Sequence, residues 1–308
     1  MQSNVLKTIA RRSRFRAAMS QYAMHALFIL ISAASLYPLF LVVGISLSDE
    51  ITITLKGFSL IPKKYSTAAY DFILKEGNTI FRAYFITIAT TIVGTVASTL
   101  CIALYAYPLS RKDFSHRKIF SFIVFFTMLF SGGMVPWYIV CKSILGLRNN
   151  IWALFLPYLM NAWFVMIMRT FFKTNIPDSI IESAKMDGAS EYRIFFQIVL
   201  YLALPGVATI ALFNTLVFWN DWWLPLMLVT DPAWYNLQYL MYRIQIDIQY
   251  LTQMASNLSG VSGDILQRLP SKTAQMAMCV MTIGPIVLAY PFFQRFFVKG
   301  ITIGSIKE

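Results

Sequence analysis

The stretch "IPDSIIESAKMDGASEYRIFFQIVLYLALP", Ile176 to Pro205, is polar although it lies between two strongly apolar runs. Pro177 suits the first turn of a helix, Gly188 the left-handed position after one, and Ser190 an N-cap. The stretch therefore predicts two amphipathic helices joined by a glycine turn. The apolar residues at helical spacing are Ile176, Ile180, Ile181 and Ala184, followed by Tyr192, Phe195, Phe196 and Val199.

The rest of the chain is dominated by apolar runs that are long enough to cross about 30 Å of hydrocarbon. Of the 308 residues 57% are hydrophobic and 13% charged, whereas an average soluble domain has roughly a quarter charged. Because period-2 alternation is absent, the runs predict helices rather than a barrel, and hence an all-α integral membrane protein with six transmembrane helices. The runs cover about 23–47, 83–107, 119–141, 151–172, 202–229 and 275–298.

The distribution of Lys and Arg predicts the orientation of these helices in the membrane. With the N-terminus in the cytoplasm, 16 of the 26 Lys and Arg residues fall on the cytoplasmic side. An even number of spans then puts the C-terminus there too. The predicted parts are a basic N-terminal segment (1–22), forming an interfacial helix or a disordered tail, a transmembrane domain (23–298) and a cytoplasmic tail (299–308).

Two connections stand out in this topology. The 174–200 segment lies on the cytoplasmic side between the fourth and fifth spans, and the 230–274 connection is a long outer loop. A loop of that length is usually functional or disordered. Its first part carries the aromatic residues Trp234, Tyr235 and Tyr239.

Catalytic and metal-binding patterns are not found in the sequence. It has no GxxxxGK[ST] phosphate loop, and its two histidines and three cysteines lack the spacing of a metal site or a disulfide framework. The chain is therefore expected to have no cofactor of its own and not to be an enzyme. The net charge of +12 is assigned to topology and contact with anionic lipid, not to nucleic-acid binding.

One ionisable residue lies inside a predicted span, which makes it a candidate for function. Asp221 is flanked by aromatic and amide side chains of the kind that bind sugars. The group either lines a substrate pathway or forms an aromatic belt at the outer interface with Asp221 exposed to water. The pathway candidates are Trp219, Asn220, Asp221, Trp222 and Trp223.

The 174–200 segment resembles a loop of ABC importer membrane subunits. Glu182-Ser183-Ala184, three residues, Gly188, nine residues and Ile198-Val199-Leu200 follow the "EAA…G…I.LP" pattern of that family, with Ser183 in place of Ala. "FWNDWWLPLML" (218–228) and "FFQRFFVKGITIGSIKE" (292–308) are similar to the branch that handles complex oligosaccharides, including acidic ones such as aldouronate and alginate fragments. Tyr201 replaces a common Pro, so the bend into the fifth helix is expected one turn later, at Pro205.

The resemblance implies a sugar-importer permease of the bacterial cytoplasmic membrane that works by alternating access. It implies a second homologous permease subunit, two ATP-binding subunits that carry ATP and Mg, an extracytoplasmic solute-binding protein and an oligosaccharide substrate. The solute-binding protein would face the 230–274 connection and contact Trp234, Tyr235 and Tyr239, with packing of these residues against the second permease subunit as the alternative. The 174–200 segment would dock onto the ATPase, with Glu182 in a polar contact, Gly188 at the turn, and Ala184 and Ala189 allowing close approach. The implied coupling residues are Glu182, Ser183, Ala184, Asp187, Gly188 and Ala189.

Two other classes of membrane protein compete with this interpretation. A secondary transporter or channel often has inverted repeats or several intramembrane charges, and the sequence shows no repeat and one candidate carboxylate. An integral-membrane enzyme would require clustered acid, base or metal-binding residues, which do not stand out. The importer interpretation is therefore favoured, with an uncoupled transporter or channel as the alternative.

Overall fold

A computed structural model describes residues 2–75, 77–257 and 271–304 of the chain. These residues form helices, and strand-like pairing among them is limited to one antiparallel bridge between Ser48 and Tyr65. The predicted all-α class is therefore confirmed. The α-helices are α1 (Gln2–Ser46), α2 (Glu50–Lys56), α3 (Ala68–Leu74), α4 (Gly77–Ser110), α5 (Arg117–Leu129), α6 (Met134–Ile139), α7 (Ala162–Asn175), α8 (Asp178–Met186), α9 (Glu191–Arg193), α10 (Leu200–Leu202), α11 (Leu204–Trp219), α12 (Trp223–Leu228), α13 (Leu237–Asn257) and α14 (Ser271–Gly304).

Within the described residues, two helices are long and apolar enough to cross a membrane unaided, Gln21–Ser46 of α1 and all of α4. Three further spans are possible if bent helix pairs each count as one, which gives a range of two to five. The sixth predicted span lies within α14, and its role as a span stays a prediction. The bent pairs are Arg117–Leu129 with Met134–Ile144 (114°), Ile151–Tyr158 with Ala162–Asn175 (53°), and Glu191–Leu202 with Leu204–Trp219 (82°).

The bends have local causes that the apolar runs conceal. Gly133 takes a φ of +86° between α5 and α6, a conformation that glycine adopts without strain. Asn161 is the N-cap of α7, and its side chain accepts hydrogen bonds from the backbone N–H groups of Trp163 and Phe164. A new helix therefore begins here within the apolar run. The bend into α11 lies at Ala203, directly before Leu204 and Pro205, which confirms the expected late bend. The fifth run is nevertheless not one helix, since α11 ends at Trp219.

The described residues within 1–75 and 251–280 form one compact unit. Gly44 of α1 lies so close to the backbone of Leu60 that an added Cβ would be 2.3 Å from its carbonyl oxygen. Glu50 of α2 accepts hydrogen bonds from the backbone N–H groups of Lys272 and Thr273 at 3.1 and 2.9 Å. This carboxylate satisfies donors at the start of α14, where negative charge is also favoured by the helix dipole.

The described residues within 76–250 and 281–308 form the second unit, in which α4 packs against both α7 and α11. The buried face of α4 is rich in hydroxyl groups: Thr95 Oγ1 lies 3.3 Å from Thr215 Oγ1, and Thr99 accepts a hydrogen bond from Asn214. Small residues with hydroxyl groups let helices approach closely, and their side chains form hydrogen bonds across an otherwise apolar interface. This unit contains both the 174–200 segment and Asp221.

Candidate functional site

The 174–200 segment folds as the predicted helix, glycine turn and helix. α8 ends in a Schellman motif, with hydrogen bonds from Gly188 N to Lys185 O and from Ala189 N to Ala184 O, both 3.0 Å. Gly188 takes a φ of +79°, which confirms the expected left-handed position. Ser190 caps the second helix by accepting a hydrogen bond from Arg193 N at 3.4 Å. Pro177 precedes α8 by one residue instead of lying in its first turn.

One face of the segment is buried against α4 and α7. Ile181 and Ala184 of α8 join Ile194, Phe195 and Val199 in a single core cluster with residues of those two helices. The burial of Ala184 means that its small side chain allows close approach inside this chain, not to another one. The segment is thereby fixed to the second unit through apolar packing.

The predicted apolar stripe is wrong in its details. Ile180 is exposed, as are Tyr192 and Phe196, although their spacing placed them on the buried face. For Phe196 the reason is a π-helical turn over Ile194–Val199, which follows directly after α9 and changes which residues face the core. A π-helix joins residues five apart, so Ile194 and Val199 share a face that an α-helical pattern would separate.

The opposite face of the segment is open to solvent in this chain. Glu182, Ser183, Asp187 and Gly188 are all exposed, and Ala189 is half-buried. Asp187 is the last residue before the turn, and its backbone N–H donates to Ser183 O at 3.0 Å. Apart from Ala184, the residues predicted to contact an ATPase therefore lie together at or beside the glycine turn.

A network of charged side chains joins the segment to the turn that follows α4, and sequence reasoning missed it. Lys185 Nζ lies 2.6 Å from Glu191 Oε1 and 2.9 Å from Asp113 Oδ2. Asp113 also receives two hydrogen bonds from Arg111, 3.0 Å from Nε and 2.6 Å from Nη2. Spacing gives no hint of these contacts, because Asp113 and Lys185 are 72 positions apart.

The network shifts the pKa values of Asp113 and Lys185 in opposite directions. Hydrogen bonds from Arg111, and to a smaller degree from Lys185, hold the pKa of Asp113 well below its ordinary value despite some loss of solvent. Hydrogen bonds to Glu191 and then Asp113 raise the pKa of Lys185. Both groups therefore carry their full charge at neutral pH.

Asp221 lies at the other end of the second unit, in a position that the water-exposed interpretation does not fit. Its side chain is 6% exposed, and Oδ1 accepts hydrogen bonds from Trp223 N and Leu224 N at 3.1 and 3.2 Å. Oδ2 is buried and makes no close hydrogen bond among the described residues, and the Tyr158 hydroxyl is the polar side-chain group near this carboxylate. This carboxylate therefore caps the first two backbone N–H groups of the short helix α12.

The aromatic candidates around Asp221 divide into buried and accessible ones. Trp219 is buried, and its Nε1 donates to Thr282 O at 3.0 Å. Trp222 is 41% exposed and stacks on Tyr242 with a ring distance of 4.9 Å. Trp223 is half-buried and Asn220 is exposed. Trp222 and Asn220 are therefore the candidates with exposed side chains, and Asn220 Nδ2 also donates to Leu216 O at 2.9 Å.

The predicted outer loop 230–274 is largely a helix in its described part, because α13 occupies Leu237–Asn257. Asn236 starts this helix by accepting a hydrogen bond from Tyr239 N, and it donates to the backbone oxygen of Asp221. Tyr235 and Tyr239 are buried and pack edge to face at 4.8 Å, which favours packing within the chain over the predicted protein contact. Trp234 is half-buried.

The chain matches a protein family over residues 101–303, the family described as "binding-protein-dependent transport system inner membrane component". This match covers both the 174–200 segment and Asp221. The chain belongs to this family. It is therefore an inner-membrane component of a transport system, and its apolar helices agree with a multi-pass membrane protein.

Individual relatives support the assignment along most of the chain. The polygalacturonan/rhamnogalacturonan transport system permease protein YtcP of Bacillus subtilis is 38% identical over 88% of this chain and 92% of its own length. The arabinooligosaccharides transport system permease protein AraQ of Halalkalibacterium halodurans is 27% identical over 91% and 94%. A crystal structure of a bacterial ABC transporter involved in the import of the acidic polysaccharide alginate has a similar chain, with TM-score 0.75, 27% identity and coverage of 91% and 96%.

Proposed function

We propose that this chain is a permease subunit of a carbohydrate ABC importer, which passes an oligosaccharide from an extracytoplasmic binding protein to the cytoplasm by alternating access. The carbohydrate class is supported by the relatives, which are named for polygalacturonan and arabinooligosaccharides and for alginate. The chain contributes the membrane path and no catalytic step. An uncoupled transporter or channel is the alternative, and no contact in the described residues favours it.

The proposed complex contains a second homologous permease subunit, two ATP-binding subunits and a solute-binding protein. ATP and Mg bind to the ATP-binding subunits. Both termini and the 174–200 segment of this chain lie on the cytoplasmic side, in keeping with the excess of Lys and Arg there. The chain crosses the membrane six times, which requires α14 to be a span in addition to the five candidates.

The observation that carries the proposal is the geometry of the 174–200 segment. Its apolar face is fixed to α4 and α7, while Glu182, Asp187 and Gly188 project from the opposite face. Coupling requires a rigid element whose contacts differ between two states of the complex. We assign Glu182 and Asp187 to polar contacts with the ATPase and Gly188 to the turn that presents them.

The substrate is proposed to be an acidic oligosaccharide. Polygalacturonan is a polymer of a uronic acid, and alginate is an acidic polysaccharide, so the transport systems of two relatives handle carboxylated sugars. Trp222 and Asn220 supply an accessible aromatic face and an amide next to Asp221. Aromatic rings stack on the C–H faces of sugar rings, and amides form hydrogen bonds with sugar hydroxyl groups. Both contacts are made equally by acidic and neutral sugars, so the preference of the importer for acidic sugars is measured directly.

The test is sugar-dependent ATP hydrolysis by the whole complex in nanodiscs, after co-expression with the neighbouring transport genes. Trigalacturonate and an alginate trisaccharide serve as acidic probes, and maltotriose as the neutral one. Gly188→Pro cannot adopt a φ of +79° and removes the hydrogen bond to Lys185. Loss of sugar stimulation with assembly intact supports coupling.

Gly57→Pro is the matched control. Gly57 also ends a helix, has a φ of +74° and donates its backbone N–H to the helix, but it lies in the first unit. If both variants keep wild-type stimulation, or no ATPase co-purifies with the wild-type chain, the coupling proposal is wrong. The uncoupled transporter then becomes the working hypothesis.

A further inference from the structure

The charge network connects three segments of the second unit through one ammonium group. Lys185 belongs to α8, before the Gly188 turn, and Glu191 to α9, after it. Their contact of 2.6 Å bridges the turn from one helix to the other. The contact of 2.9 Å between Lys185 and Asp113 attaches both helices to the turn that follows α4.

Asp113 is the centre of this network because it also neutralises a largely buried guanidinium. The Arg111 side chain is 11% exposed, and its Nη1 has no hydrogen-bond partner within the described residues. Arg111 further lies 6.0 Å from the ring centre of Tyr107, whose hydroxyl is 3.3 Å from Glu191 Oε2. The five side chains thus form a closed ring of contacts.

Helix α4 extends from this network to the group around Asp221. Thr87 Oγ1 of α4 accepts a hydrogen bond from Leu237 N at 2.8 Å, where α13 begins, and Asn236 next to it binds the backbone of Asp221. Thr87 and Tyr107 are twenty residues apart, which is about 30 Å along an α-helix. A single helix therefore contacts both candidate regions of the chain.

We propose that Lys185, Asp113 and Glu191 are positioning residues of the importer. The contact of Lys185 with Glu191 fixes the angle at the Gly188 turn, and its contact with Asp113 fastens the 174–200 segment to the turn that directly follows α4. A displacement of the segment by an ATPase subunit then moves α4, and with it the residues around Asp221. This proposal rests on the proposed function, because it presupposes that the segment docks onto an ATPase.

The ordinary alternative is a surface ion pair without consequence. Side chains of Lys185 and Asp113 are 38% and 51% exposed, and isolated pairs at such exposure contribute little to stability. Two features separate this pair from that case. It shares Asp113 with the shielded Arg111, and it is one of two ion pairs between the same segments, since Lys112 Nζ lies 2.8 Å from Asp178 Oδ2.

The experiment compares Lys185→Met with Lys185→Arg in the reconstituted complex, using the acidic trisaccharides and the solute-binding protein. The measured quantity is sugar taken up per ATP hydrolysed, together with the amount of ATPase that co-purifies. We expect Lys185→Met to retain the ATPase and lower this ratio about fivefold, and Lys185→Arg to stay within about twofold of wild type. Lys173→Met is the matched control, an exposed lysine at the end of α7 without an ion pair among the described residues.

The outcomes separate this inference from the proposed function. If Lys185→Met keeps the wild-type ratio while Gly188→Pro abolishes sugar stimulation, the network has no positioning role and the coupling proposal stands. If Gly188→Pro also leaves the sugar stimulation of ATP hydrolysis unchanged, the coupling proposal itself is wrong. Should Lys185→Met fail to assemble, Glu191→Gln removes one of the two partners of Lys185, and its ratio decides in the same way. A lower melting temperature with an unchanged ratio also overturns the inference.

Discussion

Asn214 of α11 donates a hydrogen bond from Nδ2 to Thr99 Oγ1 of α4 over 3.1 Å, and both side chains are buried between the two helices. Asn214→Leu keeps the number and branching of the side-chain heavy atoms but leaves the Thr99 hydroxyl without this donor. We expect a loss of about 1 kcal/mol in the stability of the helix pair, the usual size of such bonds in membrane proteins. Thermal unfolding of the purified complex measures it, and Asn220→Leu, at an exposed site at the end of α11, should shift the melting temperature far less.

The contact between Gly94 and Phe218 gives a second prediction. A Cβ at Gly94 would lie 2.9 Å from the Phe218 ring, which is itself buried. Gly94→Ala is expected to cost about 1–3 kcal/mol through overpacking, more than its gain in helix propensity of about 1 kcal/mol. Gly284→Ala is the control, because a Cβ there meets nothing within 4 Å. Equal melting temperatures for the two variants would contradict the tight packing of α4 on α11.

Two substitutions separate the helix-capping role of Asp221 from its negative charge. Asp221→Asn keeps an oxygen that accepts from Trp223 N and Leu224 N, so we expect the melting temperature of wild type and uptake within about twofold. Asp221→Ala removes these bonds and should cost about 1 kcal/mol. If Asp221→Asn melts like wild type but transports no sugar, the negative charge itself is required in the pathway and the capping role is secondary.

The ion pairs of Asp113 should be insensitive to pH near neutrality. Its pKa is lowered in the fold, so its contribution is complete above the ordinary value of 3.8 and is lost as the pH falls through the folded value. The raised pKa of Lys185 makes its contribution complete below the ordinary value of 10.5 and lost as the pH rises beyond that value. The difference in melting temperature between wild type and Asp113→Asn should therefore be constant from about pH 5 to 9 and shrink towards pH 3. A step near pH 6 to 7 would assign the effect to another group.

The helical class, the two long helices α1 and α4 and the glycine turn could be predicted, because each depends on local sequence. Apolar runs set the helices, and Gly188 between two polar helix ends sets the turn. The broken helices could not be predicted in this way, since hydropathy does not register Gly133 or the side-chain cap at Asn161. A continuous apolar run is compatible with a sharply bent pair.

The candidate site shows the same limit. The exposed residues of the turn, Glu182 and Asp187, follow from the motif and its pattern. The contact of Lys185 with Asp113 joins residues 72 positions apart and requires the fold to bring α4 and α8 together. Likewise the burial of Tyr235 and Tyr239 depends on α13, a helix that the outer-loop prediction did not contain.

The π-helical turn at Ile194–Val199 has a consequence for chain length. Such a turn holds one residue more than an α-helical turn, and one residue corresponds to about 100° of rotation about the helix axis. Deleting a single residue here would restore α-helical winding and swing α8, with its exposed acidic edge, to a different side of α11. The number of residues between Ser190 and Pro205, as well as their chemistry, thus sets the direction in which the permease presents this exposed acidic edge.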